Sequence, residues 1–188
     1  MENKHSIFLS WLLNPLASHG FEEKFAQRFF DKAFEDKDHI PDAGKIERII
    51  LEQRINGEKQ REDGIDRRRI DILIIGEDFT CTIENKYGSE AHGGQCEDYR
   101  NYVEGEYGER KANNRFIFLD IDKPKDFDYM HKSRYAEFDF ISYETIRDIL
   151  GDIISTEKER KTDNKLTISL ITRKDMIKRN DRKGKKCN

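Results

Sequence analysis

Cysteine is scarce in this chain. Cys81, Cys96 and Cys187 form no metal-ligand spacing, and an odd count cannot close a disulfide framework. Reduced thiols in a cytosolic protein are the expectation. Long apolar runs are also missing, and nothing approaches the roughly 20 residues of a membrane-spanning helix. The N-terminus lacks the basic start and small-residue cleavage site of a signal peptide, which again points to the cytoplasm. No internal repeat and no low-complexity segment is visible. Nor does one sign of charge dominate. The formal net charge is -3, which neither announces a nucleic-acid partner nor excludes one, because local fields outweigh the sum. Apolar residues make up 35% of the chain against 39% charged. They are clustered rather than diluted, so the expectation is a folded domain with solvated loops.

The length suits one domain, expected over residues 1–172, followed by a basic tail over 173–188. That tail reads equally as a phosphate-tracking arm and as a solvated terminus. Ile7, Phe8, Trp11 and Leu12 recur at helical spacing, and Asn14-Pro15 ends the helix they predict. Phe21, Phe25, Phe29 and Phe30 predict a second helix from about Gly20 to Phe34. A strand is expected over Ile46–Ile55 and a charged loop over Asn56–Asp66. Two further strands then form a hairpin. A helix is expected from about Gly94 to Val103, ended by Gly105 and Gly108. A strand over Arg115–Asp120 follows, then one over Phe138–Ile141 and a short helix capped by Ser142. Lys165–Ile177 fits either a strand or a terminal helix. This order predicts an α/β (α+β) fold with a mixed central sheet flanked by helices.

The hairpin carries the chemistry. Ile70-Asp71-Ile72-Leu73-Ile74-Ile75 and Phe79-Thr80-Cys81-Thr82-Ile83-Glu84-Asn85-Lys86 are rich in β-branched residues, with Gly76-Glu77-Asp78 between them. A turn centred on Glu77-Asp78 sets Gly76 opposite Phe79 and Asp71 opposite Glu84; a three-residue turn breaks that register. Lys86 then projects from the face of Glu84. Two like charges opposed across a ladder repel, and a divalent cation relieves them because hard cations take carboxylate oxygens. A lysine alongside adds a positive charge and a proton-transfer group. Such a set suits phosphodiester hydrolysis. Taken alone, Asp71 also reads as a buried acid paired with Arg68 or Arg69, and Glu84 and Lys86 as solvated strand-end charges.

A strand with Asp71, a hairpin, a strand ending Glu84-Asn85-Lys86 and a following helix together resemble the PD-(D/E)xK nuclease superfamily. Ile70 stands where its name has proline. A closer resemblance is to a compact bacterial and phage-associated group. The carrying residues are Trp11-Leu12-Leu13-Asn14-Pro15, His19-Gly20, Arg69-Ile70-Asp71-Ile72, Ile83-Glu84-Asn85-Lys86, and Gln95 with Tyr99. The resemblance implies a restriction-endonuclease-like core. It also implies Mg²⁺ or Mn²⁺ held by Asp71, Glu84, the Asn85 carbonyl and an early-helix acid, matched here by Glu23. Asp71, Glu84, Lys86 and Gln95 would form the catalytic set, and His19, part of the recurring opening, reads as a substrate contact or a helix-start hydrogen bond. The basic run before Asp71, with Arg68 and Arg69, reads equally as phosphate contacts and as surface salt bridges. Nucleic acid is the implied partner, DNA ahead of RNA, in a phage, prophage or defence setting. A homodimer is a further expectation by analogy with enzymes that cut both strands. The rival reading is a catalytically silent nuclease-fold module that binds nucleic acid or a protein partner.

Overall fold

A computed structural model describes residues 2–55, 68–87, 95–108, 113–124, 127 and 138–158. The expected loop over 56–66, the ambiguous segment 165–177 and the basic tail 173–188 lie outside the described residues. The chain divides into two compact units, Met1–Ile149 and Leu150–Asn188. Residues 150–158, the described part of the second unit, are helical. Among the described residues, no helix is long and apolar enough to cross a membrane.

The first unit is built on a five-stranded sheet in the order β1-β2-β3-β4-β5. The strands are Ile46–Arg54 (β1), Arg69–Gly76 (β2), Phe79–Asn85 (β3), Asn113–Asp120 (β4) and Asp139–Ser142 (β5). The β1–β2 and β2–β3 pairs are antiparallel, while β3–β4 and β4–β5 are parallel. The sheet is therefore mixed, as the element order predicts. Parallel neighbours need a crossover, and the helix α3, Gln95–Tyr107, lies in the one from β3 to β4.

All seven residues of β3 are buried, including Thr80, Thr82, Glu84 and Asn85. In β2, Ile70, Ile72, Leu73, Ile74 and Ile75 are all buried, so the strand reads as a continuous apolar run instead of alternating. On one face of the sheet, Leu73, Ile75, Phe116 and Phe118 pack with Cys96, Tyr99 and Val103 of α3. The other face meets α1, Glu2–Leu13, and α2, Lys24–Ala33. There Phe30 of α2 packs edge-on to Phe79 of β3, with ring centroids 5.7 Å apart. Cys81 and Cys96 are buried free thiols.

The β2–β3 turn has the register that places Asp71 opposite Glu84: Ile72 pairs with Ile83, Leu73 with Thr82, Ile74 with Cys81 and Ile75 with Thr80. Gly76 is required there, because a Cβ on it would stand 2.2 Å from the Phe79 ring. The second helix starts later than the sequence suggests. Gly20 and Glu22 have φ of 73° and 53°, so the chain turns through left-handed conformations before α2 begins at Lys24. Ser142 does cap a helix, its hydroxyl accepting the Thr145 amide at 3.2 Å.

Candidate active site

The pairing of β2 and β3 ends at Ile72 and Ile83, and the two strands part just beyond. Asp71 stands at this fork. Its Oδ2 accepts the backbone N–H of Asn85 at 2.8 Å, so the carboxylate takes the place of a ladder carbonyl. Glu84 leaves β3 on the face covered by α3 and is fully buried. Its Oε1 accepts from Lys86 Nζ at 2.5 Å and from Gln95 Nε2 at 2.7 Å. Its Oε2 is buried without a hydrogen-bond partner. Burial, and next the charge of Asp71, push the Glu84 carboxyl up to about 8, against the pull of Lys86. Lys86 is itself buried, and its backbone N–H bonds the Leu119 carbonyl at 2.7 Å.

α3 supplies the support. Gln95 and Tyr99 are one helical turn apart and share a face. Gln95 Nε2 donates to the Tyr99 hydroxyl at 2.6 Å, and that hydroxyl donates to the Arg69 carbonyl next to Asp71. Both amide hydrogens of Gln95 are thereby used, one of them on Glu84. Tyr99 reads in the sequence as packing; here it ties α3 to the strand that bears Asp71. Burial, reinforced by the Glu84 charge, raises its hydroxyl well above the usual range.

Asn85 points the other way. Its Nδ2 donates to Ser6 Oγ at 2.9 Å, and its Oδ1 accepts from the Tyr143 hydroxyl at 2.5 Å. Ser6 and Tyr143 carry no motif that would mark them in the sequence, and only the folded chain brings them to β3.

The remaining expected site residues make other contacts. Glu23 is exposed at the start of α2 and makes no capping bond with its side chain. Among the described residues no three of His, Cys, Asp and Glu group closely enough to hold an ion, so Glu23 does not join Asp71 and Glu84. Both ring nitrogens of His19 serve the turn between α1 and α2. Nδ1 accepts from the Phe21 N–H at 2.9 Å and Nε2 lies 3.0 Å from the Asn14 carbonyl. Arg68 is paired with Asp98 of α3. Arg69 donates to Glu52 at 3.0 Å.

The donor set fits a divalent ion. A buried carboxylate oxygen with no donor, beside a second carboxylate, is what a hard cation satisfies. Two carboxylates suffice for Mg²⁺, which keeps several waters and shares its remaining positions with phosphate oxygens.

A search of curated proteins and of solved structures returns no significant match. Residues 1–171 match the PD-(D/E)XK nuclease superfamily. The match runs through the fork, the Glu-x-Lys strand end and the supporting helix. The chain therefore belongs to the PD-(D/E)XK nuclease superfamily, whose members are generally nucleases that use divalent ions.

Proposed function

We propose that this protein is a nuclease dependent on Mg²⁺ or Mn²⁺, acting on DNA in a phage, prophage or defence setting. The observation that carries this reading is Glu84. Its carboxylate is buried between Asp71 and Lys86 and keeps one oxygen without a donor. Asp71 and Glu84 would hold the ion, with the Asn85 backbone carbonyl as the only donor that residue can still offer, since its side-chain amide is committed to Ser6 and Tyr143. When bound, a divalent ion supplies Lewis acidity at a phosphate oxygen and a lowered pKa for water. Lys86 orients the attacking water and offsets the negative charge that grows on the phosphate. Gln95 fixes the rotamer of Glu84 and leaves Oε2 for the ion. Tyr99 holds Gln95 in turn. Outer partners of this kind matter about 10–100-fold in metal affinity or activity.

The test is incubation with plasmid, single-stranded DNA and RNA, in Mn²⁺, Mg²⁺ or EDTA. Metal-dependent product from DNA is expected, and none with EDTA. Lys86→Ala should abolish cleavage. Because Glu84 keeps its proton up to about pH 8, removing the lysine strands no charge in the metal-free protein at neutral pH, and the fold survives. Retention of DNA on a gel without product, in every metal, would instead establish a silent binding module.

A further inference from the structure

The surface around Asp71 continues past the carboxylate pair. Asp71 also lines a pocket of about 270 Å³ between α1 and β1, together with Asn3, Ser6, Ile7, Leu51 and Glu52. The size is at the small end of the roughly 300–1,000 Å³ of small-molecule sites, which suits one planar heterocycle. Its apolar lining is bare, with Ile7 57% and Leu51 37% exposed. Its polar edge is ordered. Asn3 Nδ2 donates to Glu52 Oε1 at 2.7 Å and Arg69 donates to Oε2 at 3.0 Å. A carboxylate with one donor on each oxygen still accepts more. Glu52 holds φ of 50° within β1, an uncommon conformation for a side-chain-bearing residue and one that clusters at ligand contacts. Beyond the pocket, Phe8 and Trp11 of α1 are 52% and 38% exposed, with stacked rings 5.8 Å apart. Both rings present bare apolar surface to solvent.

We propose that this pocket receives one unpaired base of the strand being cut, and that the substrate is single-stranded DNA or duplex opened at that point. The inference rests on the nuclease reading for the phosphate at Asp71. What lies beside a phosphate in a strand is a base, with two apolar faces and one polar edge. The pocket offers aliphatic side chains for the faces and a carboxylate–amide pair for the edge. A base inside a duplex is stacked and paired, and reaches such a pocket only after leaving the helix. The exposed Phe8 and Trp11 rings give neighbouring bases a surface to stack on, as in sequence-tolerant single-strand binders.

Binding is measured by fluorescence anisotropy on full-length Lys86→Ala in Mn²⁺, with a labelled single strand and the same strand lacking its bases. The base-bearing strand should bind about tenfold more tightly. That ratio should shrink in Ile7→Ala and Leu51→Ala, two exposed positions that the fold does not need. Cleavage rates of the wild-type chain on the same strands give the same comparison should Lys86→Ala not fold. Equal binding of the two strands, or a ratio unchanged in both variants, overturns the inference. Base-dependent binding without cleavage in any metal leaves the pocket standing and overturns only the nuclease reading.

Discussion

Burial decides the behaviour of Glu84 before any ion or substrate arrives. An ordinary glutamate with a pKa of 4.5 is ionised at neutral pH, whereas this one is pushed up to about 8. Between those two values the folded metal-free chain keeps a proton that the unfolded chain has released. Stability contributed by this group is therefore complete below about pH 4.5 and falls as the pH climbs towards 8. Urea unfolding in EDTA across that range should show the midpoint dropping with pH. In Glu84→Gln, which keeps an acceptor and carries no charge, the slope should flatten. Metal ligands must be deprotonated to bind, so excess Mn²⁺ should reverse the trend in the wild type alone. The hairpin residues Asp71, Glu84 and Lys86 were legible because their register is set by a short turn, whose geometry follows from nearby residues. Glu23 and His19 were not, since motif position says nothing about direction. His19 spends both ring nitrogens on a local turn.

At the scale of elements, the fork in the sheet needs something to hold it open. β2 and β3 stop pairing at Ile72 and Ile83, yet Glu84 and Asn85 remain buried. Asn85 binds three elements together: its amide N–H takes Asp71 of β2, its side chain takes Ser6 of α1, and Tyr143 after β5 closes on its oxygen. Asn85→Ala keeps the backbone bond and removes both side-chain bonds. It should cost about 1–3 kcal/mol, read as a lower urea midpoint with an unchanged slope. The strands, the α3 helix and the Gln95–Tyr99 face were readable from apolar runs and helical spacing. The Ser6–Asn85–Tyr143 tie was not, because its three members are far apart in the chain and nothing in the sequence links Ser6 or Tyr143 to the Glu84-Asn85-Lys86 motif. The late start of α2 escaped too. Phe21 continues the helical periodicity of Phe25, Phe29 and Phe30, but it sits in a turn stacked on His19, with ring centroids 5.0 Å apart.

For the molecule as a whole, the proton that Glu84 keeps beside Asp71 is what a bound cation would replace. The chain has a formal net charge of -3, so its overall field favours a divalent cation, and the two acids would give the ion a fixed place. Anything that binds the folded chain and not the unfolded one stabilises it, by about 2.7 kcal/mol at a hundred times its Kd. A chain of this length shifts its Tm by roughly 2–4 °C per kcal/mol. Saturating Mn²⁺ should thus raise the Tm of the metal-stripped protein by several degrees, and EDTA should return it. Asp71→Asn is the informative control, because an asparagine oxygen still accepts the Asn85 N–H that holds the fork while losing the charge an ion requires. That variant should keep a stable fold in EDTA and lose the Mn²⁺-induced rise. A rise that persists in Asp71→Asn, measured by calorimetry under identical salt, would place the ion away from the carboxylate pair and leave Glu84 without its counter-ion.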